Sequence, residues 1–192
     1  MRIIDHQDAQ VWFEQLAALR ITVFREWPYL YDGDLAYERD YLEAYFASPN
    51  AFIAGAFDGD ALIGACTASP LKDHADEFAE PFNERGFDIA HYFYLGESVL
   101  LPSYRGHGIG VEFFAVREAE ARRQGFRNCV FCAVMRPENH PNSPAGYTPL
   151  NAFWRKRGYE KMKGLEAYFA WKDLGDRQQT SKPMAFWHKH LP

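Results

Sequence analysis

Tyr104-Arg105-Gly106-His107-Gly108-Ile109-Gly110 joins a stretch that reads as a strand, Ala90 to Leu101, to one that reads as a helix, Ile109 to Gln124. Such a junction is suited to an anion. The first N–H groups of a helix have no intrahelical partner and carry the positive end of its dipole, and glycine lets the backbone come close to a phosphate. An ordinary glycine turn would use the same residues. Two other phosphate motifs fail the spacing: G-x-G-x-x-G begun at Gly106 needs glycine where Val111 stands, and no Gly-Lys-Ser/Thr follows.

Outward from this junction the chain reads as mixed strand and helix without repeats. The helix presents Ile109, Phe113, Val116 and Ala119 at helical spacing, a stripe expected to pack on a sheet, with Arg122 and Arg123 at its end as a solvated basic face. A strand from Phe126 to Met135 follows, then a proline-rich loop from Pro137 to Pro149, a helix ending at Gly158, and strands over Leu165 to Lys172 and Pro183 to Lys189. On the N-terminal side, a strand from Met1 to Ile4 precedes a helix from about Asp8 to Arg25, with Val11, Leu16, Leu19 and Val23 as its apolar positions. The loop Pro28 to Asp34 separates it from a second helix, Leu35 to Phe46, which Ser48-Pro49-Asn50 ends. Ala51 to Phe57 and Ala61 to Ser69 flank Asp58-Gly59-Asp60, a hairpin signal. Residues 71 to 88 read as irregular or briefly helical.

Arg105-Gly106-His107-Gly108-Ile109-Gly110 resembles the R/Q-x-x-G-x-G/A signature with which the GNAT acetyltransferase superfamily holds the pyrophosphate of coenzyme A. Glu97 to Tyr104 looks like that family's fourth strand and its link to the loop, and Asn151 to Tyr159 looks like its fourth helix running into Gly-Tyr. The likeness is specific over residues 90 to 160 and rests on element order elsewhere. It implies an α/β (α+β) fold in one domain over residues 1 to 192, with a mixed, mostly antiparallel sheet of about seven strands flanked by helices. It also implies N-acetyltransfer from acetyl-CoA, with no metal, to the primary amine of a small molecule or peptide. The cofactor would touch Val99, Leu100 and Leu101, where the N–H groups of Val99 and Leu101 would meet the pantetheine arm and the thioester oxygen. It would also touch Arg105, Gly106, His107, Gly108, Ile109, Gly110, Asn151 and Trp154.

An alkylamine with a pKa near 10 is protonated at neutral pH, so amine attack on a thioester needs a base. By resemblance that base is Glu97, beside Gly96, where a glycine in a strand suggests a bulge. The alternative is a carboxylate facing solvent or satisfied by an arginine. Trp154 stands where the family commonly has a tyrosine that protonates the leaving thiolate, and an indole cannot do this. Tyr147 and Tyr159 are the remaining donors, Tyr159 reading better as a packed aromatic; alternatively a thiol of pKa near 8.5 leaves without one. The loop Pro137 to Pro149 is long for its place and is expected to be ordered against the acceptor, with His140 or Tyr147 as its polar contact and Thr148 as a candidate helix cap. Trp27, Tyr29, Tyr31, Asp32, Asp34, Glu38 and Asp40 suit a cationic amine, and Tyr29, Tyr31 and Asp32 are the expected acceptor contacts; an acidic helix start is the other account.

Composition narrows the classes. With 192 residues, 47% hydrophobic and 24% charged, the chain has the balance of one folded domain. Its 21 Lys+Arg against 26 Asp+Glu give −5, a poor footprint for nucleic acid. No apolar run reaches a membrane span, and charge comes too early at the N-terminus for a signal peptide, so a cytoplasmic protein is expected. A homodimer is compatible with these features. Cys66, Cys129 and Cys132 are too few for a disulfide framework, and Cys129 and Cys132, three apart on a strand, face opposite sides and read as core. A protein of the same fold that binds acyl-CoA without catalysis is the rival reading, which Trp154 favours.

Overall fold

Gly59 adopts φ of 58°, the left-handed turn geometry that Asp58-Gly59-Asp60 calls for, and the chain reverses there so that Asp58 faces Ala61. Strands β2 (Phe52–Asp58) and β3 (Ala61–Pro70) form this hairpin, and β1 (Arg2–Ile3) extends it. The computed structural model describes residues 1–4, 9–73 and 76–192. Strands β4 (Tyr92–Leu100), β5 (Asn128–Val134), β6 (Glu160–Trp171) and β7 (Thr180–His190) complete a seven-stranded sheet in the order β1-β2-β3-β4-β5-β7-β6. Among the described strands only β4 and β5 pair in parallel.

The sheet is covered on both faces. Helix α4 (Ile109–Arg123) lies on one, burying Phe113 and Phe114 against Phe93, Leu95, Cys129 and Phe131. Helices α1 (Ala9–Phe24) and α2 (Leu35–Ala47) cover the β2–β4 half of the other face with Leu16, Leu19 and Leu42, and α3 (Asp76–Glu84) covers the rest with Phe82. Cys129 faces α4 and Cys132 the opposite side, all three cysteines being free and buried, as their strand spacing requires.

Several boundaries move. The expected start of the first helix at Asp8 lies outside the described residues, and Val11 is 72% exposed, so Leu16, Ala17, Leu19 and Arg20 form the inner face of α1. On α4 the inner face is Phe113, Phe114, Arg117 and Ala121 while Ala119 is exposed, because a charged side chain occupies a position the apolar stripe skipped. Residues 76–84 are helical despite Pro81. Strand β6 begins at Glu160 rather than Leu165, since an edge strand needs only Met162 turned to the core among residues 160–164. Strand β7 begins at Thr180, with Pro183 inside it. Helix α5 (Asn151–Arg155) has Leu150 at its N-cap, so Thr148 does not cap it.

Two irregularities shape the centre. The β4–β5 ladder runs through Tyr92–Asn128, Phe93–Cys129 and Tyr94–Val130 and stops, while β4 continues along β3 and β5 along β7. Strands that keep their outer partners and lose each other leave a wedge between them. One strand step beyond that point Cys66 faces Ser98 and Ala68 faces Leu95, so Thr67 alone opposes Gly96 and Glu97. This is a β-bulge. Thr67 Oγ1 accepts the Glu97 N–H at 3.1 Å, and a Cβ on Gly96 would come within 2.5 Å of that oxygen, which is why glycine is required there.

Candidate active site

At the head of α4, Gly106 and Gly108 have φ of 85° and 87°, the left-handed region that glycine enters freely, and a Cβ on either would meet open space. Gly108 is the N-cap and supplies no side-chain acceptor, while its carbonyl takes the Val111 N–H at 2.8 Å, so the cap offers nothing to the N–H groups of Ile109 and Gly110. Arg105 turns back from this loop: its Nη2 pairs with Glu26 at 2.8 Å and, with Nε, donates to the Leu100 carbonyl at 3.2 and 3.3 Å. It fixes the loop to the end of β4. His107 is exposed, its Nδ1 3.4 Å from the Tyr104 carbonyl, and Gly110 lies 3.5 Å, by a Cβ placed there, from the Phe153 ring of α5.

The edge of β4 facing the wedge differs from expectation. Leu101 N–H donates to the Ile63 carbonyl at 3.0 Å, and ladder alternation directs the Val99 N–H to β3 as well. The groups turned to the wedge are therefore those of Ser98 and Leu100, and the Leu100 carbonyl already points that way toward Arg105. The bulge shifts the alternation, and a sequence does not announce which residue it takes out of register.

Glu97 enters a buried cluster. Its Oε2 lies 2.5 Å from Arg20 Nη1 of α1 and accepts from the Tyr41 hydroxyl of α2 at 3.1 Å. Arg20 Nε also pairs with Glu38 of α2, and its guanidinium stands 4.1 Å over the Tyr41 ring. Arg20, Glu38 and Glu97 are 6%, 0% and 8% exposed. Burial alone would make Arg20 easier to deprotonate, but Glu97, Tyr41 and Glu38 outweigh it and hold the cation charged. From the other face of the sheet Arg117, 2% exposed, donates to the carbonyls of Phe113, Thr67 and Glu97 at 3.0, 3.4 and 3.2 Å and to Ser98 Oγ at 2.8 Å. It ties α4 to the carbonyls of Thr67 and Glu97 on either side of the bulge. The sequence reading missed Arg20, Tyr41 and Arg117. The signal was present: Arg20 follows Leu16 by four and Arg117 follows Phe113 by four, charges inside an apolar stripe.

The loop of residues 137–149 folds into successive tight turns and brings His140 to 4.9 Å and Tyr147 to 6.0 Å from the Trp27 ring. The Trp27 indole N–H is buried with no hydrogen-bond partner among the described residues. His140 Nδ1 accepts the Asn142 N–H at 3.2 Å. Burial raises the Tyr147 hydroxyl above its ordinary range, and it raises that of Tyr29 further, with Cys132, Glu97 and Tyr147 adding to the effect. The Tyr29 hydroxyl is thus within electrostatic reach of both Glu97 and Tyr147. Behind it, Arg136 donates to the carbonyls of Pro28 and Tyr29 at 2.8 and 2.7 Å while its guanidinium forks onto Asp173.

The acidic residues before α2 have other partners. Asp32 pairs with Lys172 at 2.7 Å and Arg25 at 3.7 Å, Asp34 caps α2 by accepting from Ala36 and Tyr37, Glu38 pairs with Arg20, and Asp40 is exposed. The helix-start account describes Asp34, and Asp32 is tied to the β6–β7 turn. Tyr31 packs over Gly33 and is held protonated by burial and by Glu38. Trp154 stacks edge-on with Phe131 and Trp187, Tyr159 is fully buried with its hydroxyl on Glu118 at 3.1 Å, and Asn151 opens α5 at the surface. No group of three metal-ligating side chains occurs among the described residues. None of the described helices is long and apolar enough to cross a membrane.

A sheet splayed beside a bulged strand, with an uncapped glycine-led helix at its mouth, defines the GNAT class of acyltransferase. The chain matches the acetyltransferase (GNAT) family over residues 16–159 and belongs to it. Among solved structures it resembles a ribosomal-protein-alanine N-acetyltransferase from Brucella melitensis, at 17% identity and TM-score 0.62 over the whole of both chains. It also resembles an aminoglycoside 6'-N-acetyltransferase complexed with coenzyme A, at 19% identity and TM-score 0.60 over 100% of this chain and 98% of that one. At these identities the likeness shows the fold. No curated protein matches the chain in sequence.

Proposed function

We propose that the chain transfers an acetyl group from acetyl-CoA to a primary amine by direct attack, with Glu97 accepting the ammonium proton. Acetyl-CoA would supply the thioester, its pyrophosphate suiting the open N–H groups behind Gly106 and Gly108. The observation that carries this reading is the bulge, which sets the only carboxylate of β4 where the strands begin to part. The wedge-facing N–H groups of Ser98 and Leu100 are the donors suited to oxygen of the pantetheine arm or the thioester.

The proton passes from the acceptor ammonium to Glu97, directly or through water. The amine then attacks the carbonyl carbon, the nitrogen of the tetrahedral intermediate gives its second proton to water, and the carbon–sulfur bond breaks. Tyr147 and Tyr29 keep their protons at neutral pH and can hydrogen-bond the departing sulfur. A phenol above 10 facing a thiol near 8.5 is the weaker acid by about 1.5 units or more, roughly 2 kcal/mol uphill, so the thiolate's proton comes in the end from water. Trp27, Tyr29, His140 and Tyr147 suit the flat face of a cationic amine, a role left to them because Asp32 and Asp34 have partners within the chain. Resemblance to proteins named for ribosomal alanine and aminoglycoside substrates keeps both peptide and sugar amines in view.

Arg20's hold on Glu97 favours the rival, an acyl-CoA binder without turnover. Thiol release from acetyl-CoA against a panel of an aminoglycoside, an alanyl peptide and a diamine separates the two. Turnover with one of them, lowered about 10²-fold or more in E97Q at unchanged coenzyme A affinity, supports the transferase. Tight coenzyme A binding with no thiol released by any amine supports the binder.

A further inference from the structure

Arg20 is one cation between two carboxylates. Its Nε serves Glu38 and its Nη1 serves Glu97, and all three side chains are buried. Glu38 Oε1 and Glu97 Oε1 are both buried without a hydrogen-bond partner among the described residues, so neither carboxylate is fully satisfied. Among the described residues Glu38 pairs with Arg20 and faces Tyr31, and Arg20 links it to Glu97.

We propose that Glu38 is a positioning residue that keeps Glu97 able to take up a proton, by drawing part of the Arg20 charge away from it. An isolated Arg20–Glu97 pair would be a closed ion pair, in which the arginine strongly favours the bare carboxylate and a proton finds little purchase. A second carboxylate on the same guanidinium weakens that hold and adds its own repulsion, and both effects favour protonation of Glu97. This proposal rests on the reading of Glu97 as the base. The other groups facing Glu97 are Tyr41 and Tyr45 from α2, Cys66 from β3, Arg117 from α4 and Tyr29 from the loop before α2. Burial raises the three tyrosines and the cysteine, which keep their protons, and Glu38 is the carboxylate among the described residues that shares Arg20 with Glu97.

The test follows the Glu97 side-chain carboxyl directly, by carbon NMR of the full chain labelled at glutamate Cδ, with the signal assigned by its absence in E97Q. E38Q keeps the volume and the hydrogen bond to Arg20 but removes the charge. It should move the Glu97 midpoint down by about one pH unit or out of the folded range altogether, the scale of a charge within a few ångströms. E38D should return it toward the wild-type value, and R20Q should move it up. A Glu97 midpoint unmoved in E38Q, or moved up, overturns the proposal; if R20Q does not fold, E38Q and E38D decide alone. The thiol-release assay separates this from the reading beneath it. E97Q with full turnover removes Glu97 as base whatever the NMR gives, whereas an inactive E97Q with an unmoved E38Q midpoint removes only Glu38.

Discussion

Gly108 and Arg117 show how much a single side chain settles here. At φ of 87° any other residue is strained, yet a Cβ would meet nothing, so G108A tests backbone conformation without a clash. We expect it to cost about 1–2 kcal/mol of stability and to weaken coenzyme A binding about tenfold or more as the loop relaxes. Calorimetry with coenzyme A reads the second effect, and unchanged affinity would remove the loop from the cofactor site. Arg117 is a buried cation held by three carbonyls and a hydroxyl rather than by a carboxylate. R117M should therefore strand those carbonyls and lower stability by about 3 kcal/mol or more in urea unfolding, since each bond to a charged group is worth about 1.5–3 kcal/mol. A loss under about 1 kcal/mol would mean that the bulge stands without it.

Among the elements, the connection between α1 and α2 is held from the other half of the sheet, beyond the wedge. Arg136, just past β5, binds its Pro28 and Tyr29 carbonyls and forks onto Asp173, which also meets Lys182 at 3.2 Å. Burial alone would raise the Asp173 carboxyl, but Arg136 and Lys182 outweigh it and hold it below its ordinary range. Its contribution is accordingly complete above the unfolded value near 3.9 and fades as pH falls through the lower folded one. D173A should cost about 3–5 kcal/mol at pH 7 by leaving two cations unpaired, with the gap to wild type narrowing below pH 4; a gap that is constant with pH would contradict the charge account. This anchoring was invisible in the sequence, since residues 28, 136, 173 and 182 meet only through the fold. The glycine loop, the hairpin at Asp58 and the opposed cysteines were legible, because each is a local rule of backbone or alternation. The destiny of Asp32, Asp34 and Glu38 was not, for an acidic run looks alike whether it awaits a ligand or caps a helix.

For the whole molecule, the sheet's two halves are joined at the wedge by three residue pairs, so a ligand seated there would stabilise the fold. Coenzyme A at 100 times its dissociation constant should add about 2.7 kcal/mol to stability, and for a domain of this size that is a rise of about 5–10 °C in melting temperature. Differential scanning with and without coenzyme A checks this, and no shift at saturating ligand would count against a cofactor seated between the halves. The order of the strands carries one more consequence. Strand β7 follows every other strand in the chain, yet it lies inside the sheet and is the sole neighbour of β6 and the second neighbour of β5. On a translating ribosome, then, the half bearing β1 to β4 can close early, while β5 and β6 wait with bare edges until β7 has emerged. Until β7 has emerged, Val130 and Leu165 lack the cover of Met184 and Phe186. That interval is when such a protein most needs a chaperone, and when silent changes in codon speed would alter its yield without altering a residue.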